Sequence, residues 1–158
     1  LAALGVKAHF PGLRNGAAII DTSIVLSRDG IPTMSVAKAD VVLVDAPCTG
    51  TGTIRRAPDL RWRLSPARFD YYKQTQRELL DRWAEYVKPG GTLVYATCSL
   101  LVEENEQQAD AFLASHKEWT FAPPPAGFTG PLTARGELKL SPAVQGCDGF
   151  YAVRFTRK

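Results

Sequence analysis

The sequence predicts an α/β protein built on an open sheet, mostly parallel, with an antiparallel end. Three observations predict it. Two apolar runs of strand length, Val41 to Val44 and Thr92 to Ala96, lack an alternating polar face, as do strands covered on both sides. A segment of helical periodicity lies between them. The order is therefore strand, helix, strand, a crossover that makes the two strands parallel. Short strand-like segments then follow at Trp119 to Phe121, Leu138 to Leu140 and Phe150 to Phe155. With 45% apolar residues in 158, the chain can form one domain or part of one, and no internal repeat or linker divides it.

Taken in order, Leu1 to Leu4 with Gly5 reads as a helix tail and its glycine stop. Val6 to Phe10 reads as a short strand, and Pro11 to Gly16 has turn composition. Ala17 to Leu26 is apolar and β-branched, hence strand, interrupted by Asp21. Ser65-Pro66 is a helix start, with Ser as N-cap and Pro at the first helical position. Phe69, Tyr72, Gln76, Leu79, Trp83 and Val87 then recur at helical spacing. Lys88-Pro89-Gly90-Gly91 ends that helix. A further helix is expected from about Glu103 to Ser115, with Ala109, Phe112 and Leu113 inward. Residues from Pro123 to Gly136 read as loop, and the segment joining the last two strands is too long for a tight hairpin.

The net charge of +3 says little about a nucleic-acid partner, but its distribution says more. Arg55, Arg56, Arg61, Arg63 and Arg68 fall in one stretch with Asp59 as the sole acid among them. Such a cluster neutralises phosphates, or it is a solvated surface whose arginines pair with Asp59 and Asp70. Three cysteines, an odd number without a disulfide framework, fit a reducing compartment. No apolar run reaches the ~18 residues of a membrane span and no signal peptide opens the chain, so a cytoplasmic protein is expected. His9 and His116 lack metal-ligand spacing, and no metal is expected.

Each central strand runs into a cysteine motif. Asp45-Ala46-Pro47-Cys48-Thr49-Gly50-Thr51-Gly52 follows the first, and Thr97-Cys98-Ser99 follows the second. Ligands of open α/β sheets sit outside the carboxyl ends of the strands, and neighbouring strands lie about 4.8 Å apart. Two thiols and a carboxylate would then share one crevice. That inventory suits an attack on cytosine. A thiolate adding to C6 makes the ring an enamine that can take a methyl group at C5, and a carboxyl group near N3 assists the addition. The second polar group can help the thiol depart. The structural alternatives are a small core residue for each cysteine and a turn cap for Asp45. A Cys48–Cys98 disulfide is possible on geometry and disfavoured by a reducing compartment. Cys147 has no such context and is expected to be inert. Thr49-Gly50-Thr51-Gly52 lacks the lysine and spacing of a P-loop and reads as a turn that lets substrate approach. Tyr72 is expected in the core; Trp62 is open to base stacking.

The first motif closely resembles the "DAPCSGTG" motif of the RNA cytosine-C5 methyltransferases, and Ala96-Thr97-Cys98-Ser99 resembles that family's second cysteine motif. Ile54-Arg55-Arg56-Ala57-Pro58-Asp59-Leu60-Arg61-Trp62 looks like the stretch that follows in the Fmu/Sun-type small-subunit ribosomal RNA enzymes. Glu103-Glu104-Asn105-Glu106 and Asp148-Gly149-Phe150-Tyr151 also match family positions, so the resemblance covers roughly Val41 to the C-terminus. It implies a Rossmann-like, S-adenosylmethionine-dependent methyltransferase fold. It implies Cys98 as nucleophile, Cys48 as the group that assists product release, and Asp45 at the cytosine N3 and exocyclic edge. It places Asp29, Asp45 and Pro47 at the cofactor, S-adenosylmethionine, and Arg55, Arg56 and Arg61 on RNA, expected to be small-subunit ribosomal RNA. The DNA cytosine methyltransferases would instead make Cys48 the attacker.

The family's glycine-rich cofactor turn is not reproduced; Phe10 to Gly16 lies too close to Asp45 to serve. The expectation is therefore the C-terminal half of a methyltransferase domain, residues 1–158, without the cofactor-motif half and the RNA-binding region. An exposed sheet edge and self-association follow from that expectation. A catalytically silent RNA-binding module is the alternative from another functional class.

Overall fold

A computed structural model describes residues 18–21, as backbone, and 39–158. The expected segments at Leu1 to Gly5, Val6 to Phe10 and Pro11 to Gly16 lie outside the described residues, as do His9 and Asp29. The elements in chain order are β1 (Ala18–Asp21), β2 (Ala39–Asp45), a 3₁₀ turn (Thr51–Thr53), α1 (Leu60–Arg63), α2 (Pro66–Ala84) and β3 (Val87–Thr97). They continue with α3 (Glu106–Ser115), β4 (Trp119–Phe121), β5 (Leu138–Leu140), α4 (Pro142–Gln145) and β6 (Phe150–Arg157).

One sheet contains all six strands in the order β1-β2-β3-β6-β4, with β5 also paired to β6. The β1–β2 and β2–β3 ladders are parallel, and every ladder made by β6 is antiparallel. The parallel part and the antiparallel end are the expected ones. The connection from β5 to β6 is indeed no tight hairpin. It passes through α4 and a left-handed Gly146, yet the two strands still pair, Leu138 opposite Ala152.

The uninterrupted apolar runs have the reason that the sequence indicates: both sheet faces are covered. On one face Val42, Val44, Leu93 and Tyr95 pack under Leu79, Leu80 and Trp83 of α2 and Ala109 and Phe112 of α3. On the other, Leu43, Val94 and Ala96 pack with Leu138, Ala152, Phe128 and Phe150. Burying each of these large side chains stabilises the fold by about 1.5–3 kcal/mol.

Two boundaries and one burial differ from the sequence reading. Val87 belongs to β3 and not to the preceding helix: α2 ends at Ala84, and the Arg157 guanidinium donates to the carbonyls of Ala84 (3.5 Å) and Val87 (2.7 Å) across that junction. Pro89 cannot extend a helix, so the chain enters the sheet early, at Val87 opposite Ala39. α3 starts at Glu106 and not at Glu103, because residues 102–105 form a tight turn that points Glu104 and Asn105 inward. Tyr72 is only half-buried; the buried stripe of α2 is Thr75, Gln76, Leu79, Leu80, Trp83 and Ala84.

Candidate active site

β2 and β3 are adjacent and parallel, with Asp45 opposite Ala96, so both cysteine motifs leave the sheet at the same edge. The Ala46 amide still donates to the Ala96 carbonyl (2.9 Å), which carries the pairing one residue past the strand. Beyond it the Cys48 and Cys98 sulfurs lie 3.4 Å apart, both half-buried. They are free thiols, since a disulfide requires about 2.05 Å.

The pair is electrostatically unequal. The hydrogen bond from the Cys48 thiol stabilises a Cys98 thiolate and lowers the Cys98 pKa to about 7, against the opposing effects of burial and the Asp45 charge. That same hydrogen bond, then burial, pushes the Cys48 thiol well above its ordinary value. The arrangement is one thiolate held by one thiol. Asp45 is exposed, although the three residues before it in β2 are buried.

A buried polar cluster holds the two loops together. Glu104 is fully buried and has no cation beside it among the described residues. Its carboxylate accepts from the Thr49 amide (2.9 Å), the Thr49 hydroxyl (2.5 Å), the Ser99 hydroxyl and the Gln76 amide (3.2 Å). One carboxylate thus grips the residue after each cysteine. Asn105 grips the second loop from both sides of Cys98: it accepts from the Thr97 hydroxyl (2.6 Å) and donates to the Ser99 carbonyl (2.9 Å). Gln76 also donates to the Pro47 carbonyl (2.9 Å), tying the first loop to α2. The Tyr95 hydroxyl donates to the Glu104 carbonyl (2.6 Å) and fixes the turn itself.

Glycines set the remaining spacing. The Gly52 amide donates to the Cys98 carbonyl (2.9 Å), and the Gly149 amide donates to the Gly52 carbonyl (2.8 Å). A Cβ on Gly52 would lie 2.4 Å from the Gly149 carbonyl oxygen and 2.7 Å from that of Cys98. The glycine-rich turn therefore admits the protein's own backbone, and not substrate, at Gly52.

The arginines divide into two groups. Arg56 forms an ion pair with Asp148, and Arg55 reaches the same carboxylate at 3.9 Å. Asp59 is taken by Arg63 (2.6 Å) and Asp70 by Lys73 (2.8 Å). Arg61 stacks instead on Trp62, 4.9 Å from the ring centroid. Pro47 stands half-buried between Asp45 and Cys48. No group of three or more metal-ligating side chains occurs among the described residues, and no described helix is long and apolar enough to cross a membrane.

The sequence alone did not indicate the roles of Glu104, Asn105, Gln76 and Gly149. Glu104 falls in the expected helix start, and only its match to a family position set it apart.

The same architecture occurs in solved methyltransferases. A methyltransferase homolog protein from Pyrococcus horikoshii superposes with a TM-score of 0.62 at 31% identity, covering 77% of this chain and 40% of that one. NSun6 from the same organism, solved with SFG, superposes at 0.66 with 26% identity, covering 80% and 32%. Sheet and site together define a Rossmann-like methyltransferase fold. The sequence model of the 16S rRNA methyltransferase RsmB/F family matches residues 16–156. The chain belongs to that family. It is 35% identical over 160 residues to the probable ribosomal RNA small subunit methyltransferase B of Synechocystis, covering 90% of this chain and 36% of the relative. It is 44% identical over 120 residues to ribosomal RNA small subunit methyltransferase B of Thermus thermophilus, covering 76% and 30%. The chain thus spans about a third of the length of these curated relatives.

Proposed function

We propose that this chain carries the catalytic thiols of an enzyme that methylates cytosine C5 in RNA, with small-subunit ribosomal RNA as substrate, through a covalent adduct between Cys98 and C6. The observation that carries the reading is the unequal thiol pair, 3.4 Å apart at the carboxyl ends of adjacent parallel strands. The Cys98 thiolate forms a bond to C6 while N3 gains a proton from water relayed by the Asp45 carboxylate, and the electron pair pushed into the ring makes C5 nucleophilic. Asp45 holds the N3 and exocyclic edge. Once C5 has gained its methyl group, water takes the C5 proton, the electron pair left behind forms the C5–C6 double bond, the C6–S bond breaks with Cys98 leaving as a thiolate, and N3 returns its proton through Asp45. Cys48, kept protonated, assists that departure through the hydrogen bond it already makes to Cys98.

S-adenosylmethionine, when bound, supplies the methyl group. Asp45 and Pro47 fit it: they occupy the carboxyl end of β2, where open α/β sheets take ligands, and an exposed carboxylate there suits a cationic sulfonium. Family membership and the relative solved with SFG, an S-adenosylmethionine analogue, support the assignment. Asp29, outside the described residues, is assigned to the adenine, and Arg55, Arg56 and Arg61 to RNA phosphates.

The test is incubation with S-adenosylmethionine and small-subunit ribosomal RNA, read by nucleoside mass spectrometry and by denaturing gels. Cys48→Ala should trap a covalent RNA adduct, and Cys98→Ala should form none. An adduct that requires Cys48 and not Cys98 would reverse the roles to the DNA-enzyme pattern. RNA binding without 5-methylcytosine or adduct would favour the silent module.

A further inference from the structure

The stretch after the first cysteine loop leaves two large aromatics outside the core, Trp62 and, less openly, Tyr71 at 57% exposure. Trp62 is 78% exposed, whereas Trp83 and Trp119 are 6% and 3% exposed. It sits on α1, the turn whose Leu60 side chain packs within 3.4 Å of the Cβ position of Gly50, two residues beyond Cys48. α1 is thus held against the first cysteine loop by Leu60, while the indole two residues on stands in solvent. Arg61 lies alongside it.

The surrounding charge is one-sided. Residues 55–73 contain six cations and two acids, Asp59 and Asp70, each already held by an ion pair. Arg61 and Arg68 have no carboxylate partner among the described residues. Arg68 donates to the Arg63 carbonyl and the Tyr72 hydroxyl, at 3.4 Å each, and so braces the end of α1 against the start of α2.

We propose that Trp62, with Arg61 at its side, is a stacking platform for an unpaired RNA base flanking the cytosine presented to Cys98, and that Arg61 and Arg68 meet the adjoining phosphates. The proposal rests on the RNA reading given above and assigns it a surface. Every base has a π face, so an exposed indole beside a guanidinium grips single-stranded RNA without reading its sequence. A-form duplex hides those faces, so the platform selects looped or opened RNA. The excess of positive charge favours a polyanion over a protein partner.

The test is binding of a short, labelled single-stranded RNA oligonucleotide and of the matching duplex, with wild type, Trp62→Leu and Trp62→Phe. Trp62→Leu should weaken single-strand binding about 5- to 150-fold. Trp62→Phe should restore most of it, and the duplex should bind more weakly than the single strand. RNA should quench tryptophan fluorescence in wild type and not in Trp62→Phe, because the remaining two indoles are buried. Equal binding by wild type and Trp62→Leu overturns the proposal, as does Trp62→Phe binding no better than Trp62→Leu. The Cys98→Ala methylation assay separates the two readings. Trp62-dependent binding without methylation defeats the proposed function alone; methylation indifferent to Trp62→Leu defeats the platform alone.

Discussion

A single hydrogen bond makes two identical side chains unequal. By accepting from Cys48, Cys98 becomes the more acidic member of the pair, with a pKa of about 7, and Cys48 remains a thiol. Because the lowered group is an acid, its reactive form appears as pH rises through about 7 and is lost below it. The first proton belongs to the pair, so one apparent transition is expected. Iodoacetamide should label Cys98 with a rate that climbs through pH ~7, mapped by peptide mass spectrometry, while Cys48 stays slow. Cys48→Ala should shift the Cys98 transition upward. Both cysteines and Asp45 are legible in the sequence because they follow strand-length apolar runs. Glu104 is not, since nothing local distinguishes a buried carboxylate from a solvated one; only folding brings Thr49, Ser99 and Gln76 to it. Glu104→Ala should destabilise the protein by about 3 kcal/mol or more in urea denaturation, because it strands several buried donors at once. Glu104→Gln, which keeps an acceptor, should cost less.

The elements work as brackets for these loops. α2 begins where its sequence says, at Pro66 behind the Ser65 cap, whose hydroxyl accepts from the Arg68 amide at 3.3 Å. That bond is exposed and is no part of the hydrogen-bonded cluster that holds the cysteine loops. Ser65→Ala should therefore cost about 0.5–1 kcal/mol in thermal or urea melts, leave the Cys98 alkylation profile unchanged, and be repaired by Ser65→Thr. The other end of α2 was less legible. Helical spacing continues through Val87, and the competing signal, Pro89 with Gly90 and Gly91, marks only a neighbourhood and not a residue. The carbonyls that Arg157 caps at that junction belong to a contact 70 residues distant, which no local pattern carries. The start of α3 failed for a related reason: Glu104 and Asn105 leave the helical path to serve the cysteine loops.

At the scale of the molecule, β6 unites the sheet. It is flanked by β3 on one side and by β4 and β5 on the other. Phe155 at its centre is fully buried, 5.0 Å from the Phe112 ring and 5.7 Å from that of Phe121. Phe155→Ala should cost about 3–5 kcal/mol in urea denaturation, since three elements meet there and cannot all collapse into the void. The class of fold was readable from the order of strands and helices. The place of β6 between β3 and β4 was not, because short apolar segments state that they are strands without naming their neighbours.

That placement has a consequence for biosynthesis. A ribosome delivers β3 well before β6, with about fifty residues between them. At ~5–20 residues per second, the outer edge of β3 stays unsatisfied for about 3–10 s. During that interval the nascent chain carries a buried-type strand with an open ladder, a natural target for chaperones. Gly149 arrives immediately ahead of β6, so its bond to the Gly52 carbonyl, on the outside of the first cysteine loop, closes together with the sheet.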